Sequence, residues 1–600
     1  MFDELDEKEK EQIRDELKWA YDFDPKDPLF SLSKSDLRGP KMSRRTVLRL
    51  MAAAGTLSLW HLLPGVSSSS AFADHIGGEL TAGWAGTGEI RTLDPAQINQ
   101  VLEFQIASVV LGGLTHINPN LVAEGDLAFD WKVSSDGKEY TFTLLDGVTF
   151  HNGDRFTSDD VIFTFNRSKD PEQSIHSRVL AQVEKVEKVR TADDPQGRFH
   201  VKFTLSAPQA SFLIKTTERA SGRALTIVNR RALQQMGTAQ YGLTPVGTGP
   251  FRVTFHQLGQ GVVLEKYDQY YDSRRPRLDK VTIIPIPEPE PLAAAIEAGD
   301  IQLIGGNPPA PELIDRFVAN RDLVVSQIPG PGFQALWINP WREPFVVTDF
   351  NKPVEQLKQE RGFKVRLAIA KAIDRETLIE RALFGRGVPA FGTINPAMRF
   401  FFDTAINETS EQRFDPEAAQ QLLAEAGFPN GRGFPTLKLL TTAGGRREGQ
   451  ILVDILNRNL NINVELDIRE FPVLIDNFQA MDYDLLRIGS GGDFDPDDGV
   501  VDWMQTTSKF NGANRNKEEM PFGFFSEREV DELIDRQRVE PDLNRRKELV
   551  QRANQLTSDK VAGAFLFHPL DILVWRKEVN FPNASRIPGL VDLDRVTIAR

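Results

Sequence analysis

The sequence predicts an α/β fold, and three observations carry that prediction. Short stretches of alternating apolar and polar residues take turns with stretches of helical periodicity along most of the 600 residues. Hydrophobic residues make up 40% of the chain, enough to bury sizeable cores without cross-links. No period of 20–50 residues recurs, which sets aside solenoids and propellers.

In order, Glu79 to Trp84 is a short strand ending in Gly86-Thr87-Gly88, and Val101 to Leu114 has a helical pattern. Tyr140, Phe142 and Leu144 alternate with Thr141, Thr143 and Leu145 as in a half-buried strand, and Asp146-Gly147 turns the chain. Thr157 and Asp160 have capping-box spacing ahead of Val161, Ile162, Phe163 and Phe165, so a helix starts there. Val281 to Ile286 is β-branched, Pro287, Pro289 and Pro291 interrupt it, and a helix over Leu292–Ala298 precedes a strand at Ile301–Ile304. Val365 to Phe384 follows a helical path in which Asp374 caps a second segment. Pro416 to Ala426 is a helix stopped by Gly427. A strand at Leu437–Leu440, a helix at Gly449–Leu460, a strand through Val464, Leu466 and Ile468, and helices at Glu527–Ile534 and Asp542–Thr557 follow.

Charge and composition exclude whole classes of function. Asp+Glu (85) outnumber Lys+Arg (71), leaving a net charge of −14, a poor starting point for gripping nucleic acid or anionic lipid. There is no cysteine, hence no disulfide, Cys-ligated zinc, thiol catalysis or lipid-modified Cys. Ser43-Arg44-Arg45-Thr46-Val47-Leu48-Arg49 resembles a twin-arginine export signal. The apolar run from Leu50 to Leu63 is about 14 residues, short of the roughly 20 that span a bilayer. Ala71-Phe72-Ala73 supplies a small-x-small cleavage pattern, and the mature chain is expected to begin at Asp74. Residues 1–42 read as an N-terminal extension, disordered or helical, and 43–73 as the signal peptide; Met42 is the expected start if the extension is not translated.

Catalytic motifs are sparse. No Walker loop, G-x-S-x-G or H-E-x-x-H occurs, and no two histidines stand at a metal-ligand spacing. No cofactor is expected. The densest carboxylate cluster is Asp493, Asp495, Asp497, Asp498 and Asp502; an EF-hand reading fails because position 6 is Asp498 and position 12 is Met504. Loop solvation and helix capping are the plain reading of these residues, with acid–base chemistry as the enzymatic alternative.

An ordered set of segments then points one way. It comprises Leu93-Asp94-Pro95-Ala96, Ser135 to Phe142, Leu145-Asp146-Gly147-Val148-Thr149-Phe150-His151-Asn152-Gly153, Thr157 to Phe165, Gly247-Thr248-Gly249-Pro250-Phe251 and Ala298-Gly299-Asp300-Ile301. Val365-Arg366-Leu367-Ala368, Ala372-Ile373-Asp374-Arg375, Leu422 to Phe428, Asp482-Tyr483-Asp484-Leu485 and Asp495-Pro496 continue it. Together they resemble the family 5 (peptide, oligopeptide and nickel-type, cluster C) solute-binding proteins of ABC importers, over nearly the whole chain after Asp74. Leu145 departs from the Arg often found there, and the loop near Val346 to Gly362 is longer.

The resemblance implies a two-lobed periplasmic-binding-protein fold of type II with an extra domain inserted in lobe one. Lobe one would be 74–305 plus 570–600, the insert about 105–225, and lobe two 306–569. Ligand would lie in the cleft between lobes, closed by a hinge and handed to permease subunits that act with ATPase subunits. Peptide receptors of this family carry Arg-x-Gly-Trp-x-x-Asp in lobe two; Arg487-Ile488-Gly489-Ser490-Gly491-Gly492-Asp493 keeps its Arg, Gly and Asp, with Ser490 replacing the Trp and one residue fewer before Pro496. By that likeness Asp493 would meet a ligand ammonium, Arg487 a carboxylate, and Trp84, Trp337 and Asn339 would face the cleft. The expected protein is a monomeric, non-enzymatic periplasmic receptor for peptides or a peptide-like solute, exported by the Tat machinery. The alternatives are a receptor for nickel chelate, haem, opine or oligosaccharide, and, in another class, a secreted hydrolase using the 493–502 carboxylates.

Overall fold

The computed structural model describes residues 77–598, apart from 87–88, 99, 119–120, 218–225, 492–493, 509–510, 512–519, 521 and 582–586. The extension 1–42, the signal residues Arg44, Arg45, Ala71 and Ala73, and Asp493 lie outside the described residues. Among the described residues no helix is long and apolar enough to cross a membrane.

The chain opens with strand β1 (Glu79–Ala85) and helix α1 (Val101–Val110). Helical periodicity continues to Leu114, but the helix stops at Val110. Gly112-Gly113 follow, and Gly249 backs so closely onto this end that a Cβ there would lie 2.6 Å from the Val110 carbonyl carbon. A small hairpin, β2 (Thr115–Ile117) and β3 (Ala123–Gly125), leads into β4 (Ala128–Val133) and β5 (Glu139–Leu144), where Tyr140, Phe142 and Leu144 are the buried members of the alternation. Helix α2 (Ser158–Lys169) starts in the expected capping box: Asp159 N–H donates to Thr157 Oγ1 and Thr157 N–H to Asp160. After β6 (Val183–Lys188) and β7 (His200–Leu205) come α3 (Arg230–Leu243), β8 (Phe251–Gln257), β9 (Gly261–Lys266) and β10 (Lys280–Pro285). Helix α4 (Pro289–Ala298) begins three residues earlier than its apolar pattern, because Pro289 and Pro291 occupy the first turn, where no backbone N–H is needed. Gly299 ends it with φ 86°. β11 (Leu303–Gly306), α5 (Pro311–Ala319) and β12 (Leu323–Pro329) complete this half.

The second half runs β13 (Phe333–Ile338), α6 (Arg361–Ala372), α7 (Arg375–Leu383), β14 (Gly387–Pro389), α8 (Pro416–Glu425), β15 (Leu437–Thr441), α9 (Arg446–Leu460), β16 (Val464–Ile468), α10 (Phe471–Ala480), β17 (Leu485–Ser490), α11 (Pro496–Met504), α12 (Arg528–Val539) and α13 (Leu543–Asp559). Asp374 does cap a second segment, accepting from Thr377 N–H at 3.0 Å. The chain returns along a 13-residue strand, β18 (Ala564–Arg576), then β19 (Val579–Asn580) and β20 (Thr597–Ile598).

Among the described residues, twelve strands join in the order β16-β15-β17-β13-β18-β11-β1-β10-β9-β8, with β12 and β14 also on β18. β18 belongs to both halves. Its residues 570–576 pair with β12, and its residues 564–567 with β13. The chain therefore passes between halves at 330–332 and at 569–570. This corrects the expected lobe boundary at 305/306: β11, α5 and β12 hold to the first half through antiparallel pairing with β18 and a shared core of Leu313, Ile314, Phe317, Ile572 and Val574.

The four-stranded sheet β4-β5-β7-β6 is separate and carries its own core, from Leu114 to Ile227, including Phe142, Phe165, Phe203 and Phe212. Its limits correct the expected insert of 105–225 at the first end, since Leu102, Ile106, Ala107, Val109 and Val110 of α1 pack into the first lobe's core with Trp84 and Val281. Arg167 of α2 and Asp94 of the first lobe tie insert to lobe with two hydrogen bonds of 2.7 and 2.6 Å, both side chains almost wholly buried.

Candidate functional site

The topology brings strand ends of the two halves together. β1 runs parallel to β10 and β11, and β11 runs toward the crossing, since Leu303 and Ile304 face Trp575 and Val574 of β18. In the second half β15 is parallel to β16 and β17, and the end of β17 lies beside the start of β13, Ser490 opposite Phe333. The carboxyl ends of the parallel strands of both sheets thus approach the same pair of crossings. Crevices outside the carboxyl ends of parallel strands are where open α/β sheets take ligands. The crossings are laced together: Gly330 N–H donates to Pro569 O (3.0 Å), Asn395 Nδ2 to Pro331 O (2.6 Å), and His568 Nδ1 lies 3.1 Å from Gly332 O.

Arg487 stands in the middle of β17, opposite Leu336 and three residues before the strand's end. Its Nη2 donates to Glu448 Oε1 of α9 at 3.2 Å, and both side chains are nearly buried. Burial pulls its pKa down and Glu448 opposes that pull. Gly445 leaves room for the guanidinium, because a Cβ there would fall 2.7 Å from Arg487 Nη1. Among the described residues three buried polar atoms at this end of the sheet have no hydrogen-bond partner: Arg487 Nε, Thr441 Oγ1 at the end of β15, and Gln334 Oε1 on β13, opposite Gly489. Such atoms are costly unless a ligand or water meets them. Sequence reasoning found Arg487 but missed Glu448, Thr441 and Gln334. The signal for the first two was the strand–Gly444-Gly445–helix junction between Thr441 and Arg446.

The other expected residues fall differently. Trp84 is 1% exposed, lies against Gly305, and donates Nε1 to Leu102 O at 3.2 Å. Trp337 is fully buried, lies against Gly563, stacks on Trp503 at 5.2 Å and donates to Ile488 O at 3.0 Å. Asn339 Nδ2 serves Met481 O and Tyr483 O, and its Oδ1 accepts from Trp341 N–H. The structure therefore corrects the expectation that these three face the cleft: their hydrogen-bonding atoms are spent on backbone, and both indoles are core. Ser490 is half-buried at the end of β17; Asp493 lies outside the described residues.

The carboxylate cluster is structural where it is described. Asp495 caps α11 through Asp497 N–H and takes both guanidinium arms of Arg546, at 2.8 and 2.6 Å. Asp497 accepts from Gln537 (2.5 Å) and from Ser211 Oγ of the insert (2.8 Å). Burial would raise its pKa, but Arg546 and Lys215 outweigh burial and hold it below the usual carboxylate range. Among the described residues no group of three metal-ligating side chains occurs. Further contacts join the lobes, between Ala210 N–H and Arg538 O (2.7 Å), Arg447 and Glu312 (3.2 Å), and Arg386 and Asp315.

The sequence profile of the bacterial extracellular solute-binding proteins, family 5 (middle), matches residues 123–512. The chain belongs to that family. This family 5 protein is 24% identical over 519 residues to the oligopeptide-binding protein OppA of Bacillus subtilis, covering 83% of this chain and 88% of OppA. Its fold matches the periplasmic binding protein DppA of Helicobacter pylori, solved with the peptide STSA, at TM-score 0.66 and 21% identity, over 88% of this chain and 99% of that one. HbpA2 of Haemophilus parasuis superposes at TM-score 0.71 and 20% identity, over 87% and 100%. The α/β architecture is that of the family 5 periplasmic binding proteins.

Proposed function

We propose that this family 5 protein is a periplasmic receptor that captures peptides or a peptide-like solute between its lobes and delivers it, chemically unchanged, to the permease and ATPase subunits of an ABC importer. The observation that carries this reading is the junction of the lobes: carboxyl ends of parallel strands from both halves meet at crossings through which β18 runs, and among the described residues Arg487 Nε, Thr441 Oγ1 and Gln334 Oε1 have no hydrogen-bond partner. Relatives named for oligopeptide and dipeptide binding support the peptide reading. The engagement of Asp495 and Asp497 by Arg546, Gln537 and Ser211 speaks against hydrolysis by this cluster. Export through the Tat machinery by the Arg44-Arg45 signal, and action as a monomer, complete the proposal.

Closure needs no more than a ligand that touches both lobes better in the closed state. Asp493, three residues after β17 in the sequence, is assigned the ligand ammonium, and Arg487, shared with Glu448, the polar end of the ligand beyond it. The test is a thermal-shift screen with di- to pentapeptides, followed by calorimetric titration of the best binder. A true ligand at 100 times its dissociation constant adds about 2.7 kcal/mol to stability. Asp493→Ala is expected to weaken that binder at least about tenfold, as loss of a charge-assisted bond does. Unchanged affinity removes Asp493 from the site, and recovery of the peptide in cleaved form overturns the receptor reading.

A further inference from the structure

A cavity of about 590 Å³ opens away from the crossings between the lobes. It is lined by Asp272, Arg274, Arg275 and Arg277 from the segment before β10, by Arg595 and Thr597 near the C-terminus, by Asn580, and by His116 and Glu124 of the β2–β3 hairpin. Among the described residues none between 278 and 579 lines it, and the segment 272–277 precedes β10, at the end of the first sheet opposite the carboxyl ends of its parallel strands. Its size is that of a small-molecule site.

The charges in its wall are unevenly matched. Arg274 is held by Asp272 through Nε and Nη2, at 2.8 and 2.9 Å. Arg275 is held by Asp272 at 3.0 Å and by the buried Asp594 at 2.9 Å. His116 lies 3.3 Å from Glu124, whose pKa is held low first by that contact and further by Arg595. Asp126, just beyond, takes the Tyr271 hydroxyl. Arg277 and Arg595 remain: both are half-buried, and neither has a carboxylate within ion-pair distance among the described residues. In a chain with a surplus of 14 negative charges, two such guanidiniums in one cavity are an exception that calls for a ligand. Guanidinium forks match the oxygens of phosphate, and Thr597 and Asn580 add neutral donors in the same wall.

We propose that the cavity between the first lobe, the β2–β3 hairpin and the C-terminal segment binds a phosphate group through Arg277 and Arg595. The site is separate from the interlobe cleft and stands whether or not the cleft takes peptides. Two sources supply this chemistry, a free phosphorylated compound or a phospholipid headgroup.

The experiment titrates the protein with inorganic pyrophosphate by calorimetry at low and high salt, and repeats the titration on Arg277→Gln/Arg595→Gln. Among the described residues these side chains hold no ion pair, so the double variant should keep the wild-type unfolding midpoint. Saturable binding that weakens with salt, and weakens at least about tenfold in the double variant, supports the site. Vesicles of phosphatidylglycerol in phosphatidylcholine form the second arm. Competition with pyrophosphate that vanishes in the double variant assigns a headgroup, and pyrophosphate binding without competition assigns a free phosphate compound. Absence of pyrophosphate binding, or equal binding by the double variant, overturns the proposal.

Discussion

Arg546→Ala is expected to cost about 3–5 kcal/mol of unfolding free energy, the penalty for orphaning buried charge. Arg546 is 3% exposed and forms two hydrogen bonds to Asp495, one to Gln537 at 3.0 Å, and a longer contact with Asp497 at 3.7 Å. Without it two buried carboxylates face each other at the start of α11. They cannot both stay ionised in that setting, and neutralising one of them consumes the stability that the pair now protects. The same loss should reach the cleft, because Asp495 lies just after the Asp493 segment and Asp497 anchors Ser211 of the insert. Urea unfolding checks the magnitude, and peptide titration of the folded variant checks the reach. A midpoint within 1 kcal/mol of wild type, taken with an unchanged urea slope, would show that the network is ornamental.

Acid should destabilise the protein through two buried histidines. Burial lowers the His151 and His568 pKa values from 6.5 to about 4 each. Arg252 adds to the depression at His151, while the bonds to Gly249 O and Gly332 O oppose it. Between pH 6.5 and 4 the unfolded chain binds protons that the folded chain refuses. Stability is therefore complete above pH 6.5 and falls as pH drops toward 4, by up to about 3 kcal/mol for each histidine. Asp272, whose burial is outweighed by Arg274 and Arg275 to give a pKa of about 2, loses its contribution only below pH 4, outside this window. Protonation at His151 has a specific victim: its Nδ1 accepts from Gly247 N–H at 3.2 Å while its Nε2 faces Gly249 O at 3.0 Å, so a second proton displaces the Gly247 bond. Urea midpoints at pH 7.5, 5.5 and 4.5 measure the slope. His151→Gln/His568→Gln should flatten it, and an equal slope in that variant would mean that other groups carry it.

The motifs that made the fold legible are the ones that bury charge or fix backbone. Asp94 holds Arg167 across the lobe–insert junction. Arg366 is fully buried, its Nη1 and Nη2 donate to Ile338 O, Val561 O and Ala562 O, and burial brings its pKa down to about 9. Asp374 caps α7, and Arg375 beside it donates to Phe565 O and Ala390 O. Asp495 takes Arg546. These constraints act through nearby sequence or through obligatory partners, so they leave a pattern that sequence can show. The ligand contacts do not, because they come from the tips of strands far apart in sequence. Thr441, Gln334 and Glu448 meet Arg487's neighbourhood only after β13, β15 and β17 have paired and α9 has packed beside them. Trp84 and Trp337 misled for the same reason: an indole at a strand end reads alike whether it lines a cleft or covers a glycine, and Gly305 and Gly563 decided it. β18 went unforeseen because Pro569 interrupts its apolar run. The proline sits where the strand changes partners, and there its carbonyl accepts from Gly330 N–H.

That shared strand has a thermodynamic consequence. Leu566 and Phe567 belong to one core, Ile572 and Val574 to the other, and the backbone between them is bonded without a break. Melting either lobe strips half of a strand from its neighbour, so the two lobes should absorb heat in one calorimetric peak. The insert, whose core stands apart, is the part able to melt on its own.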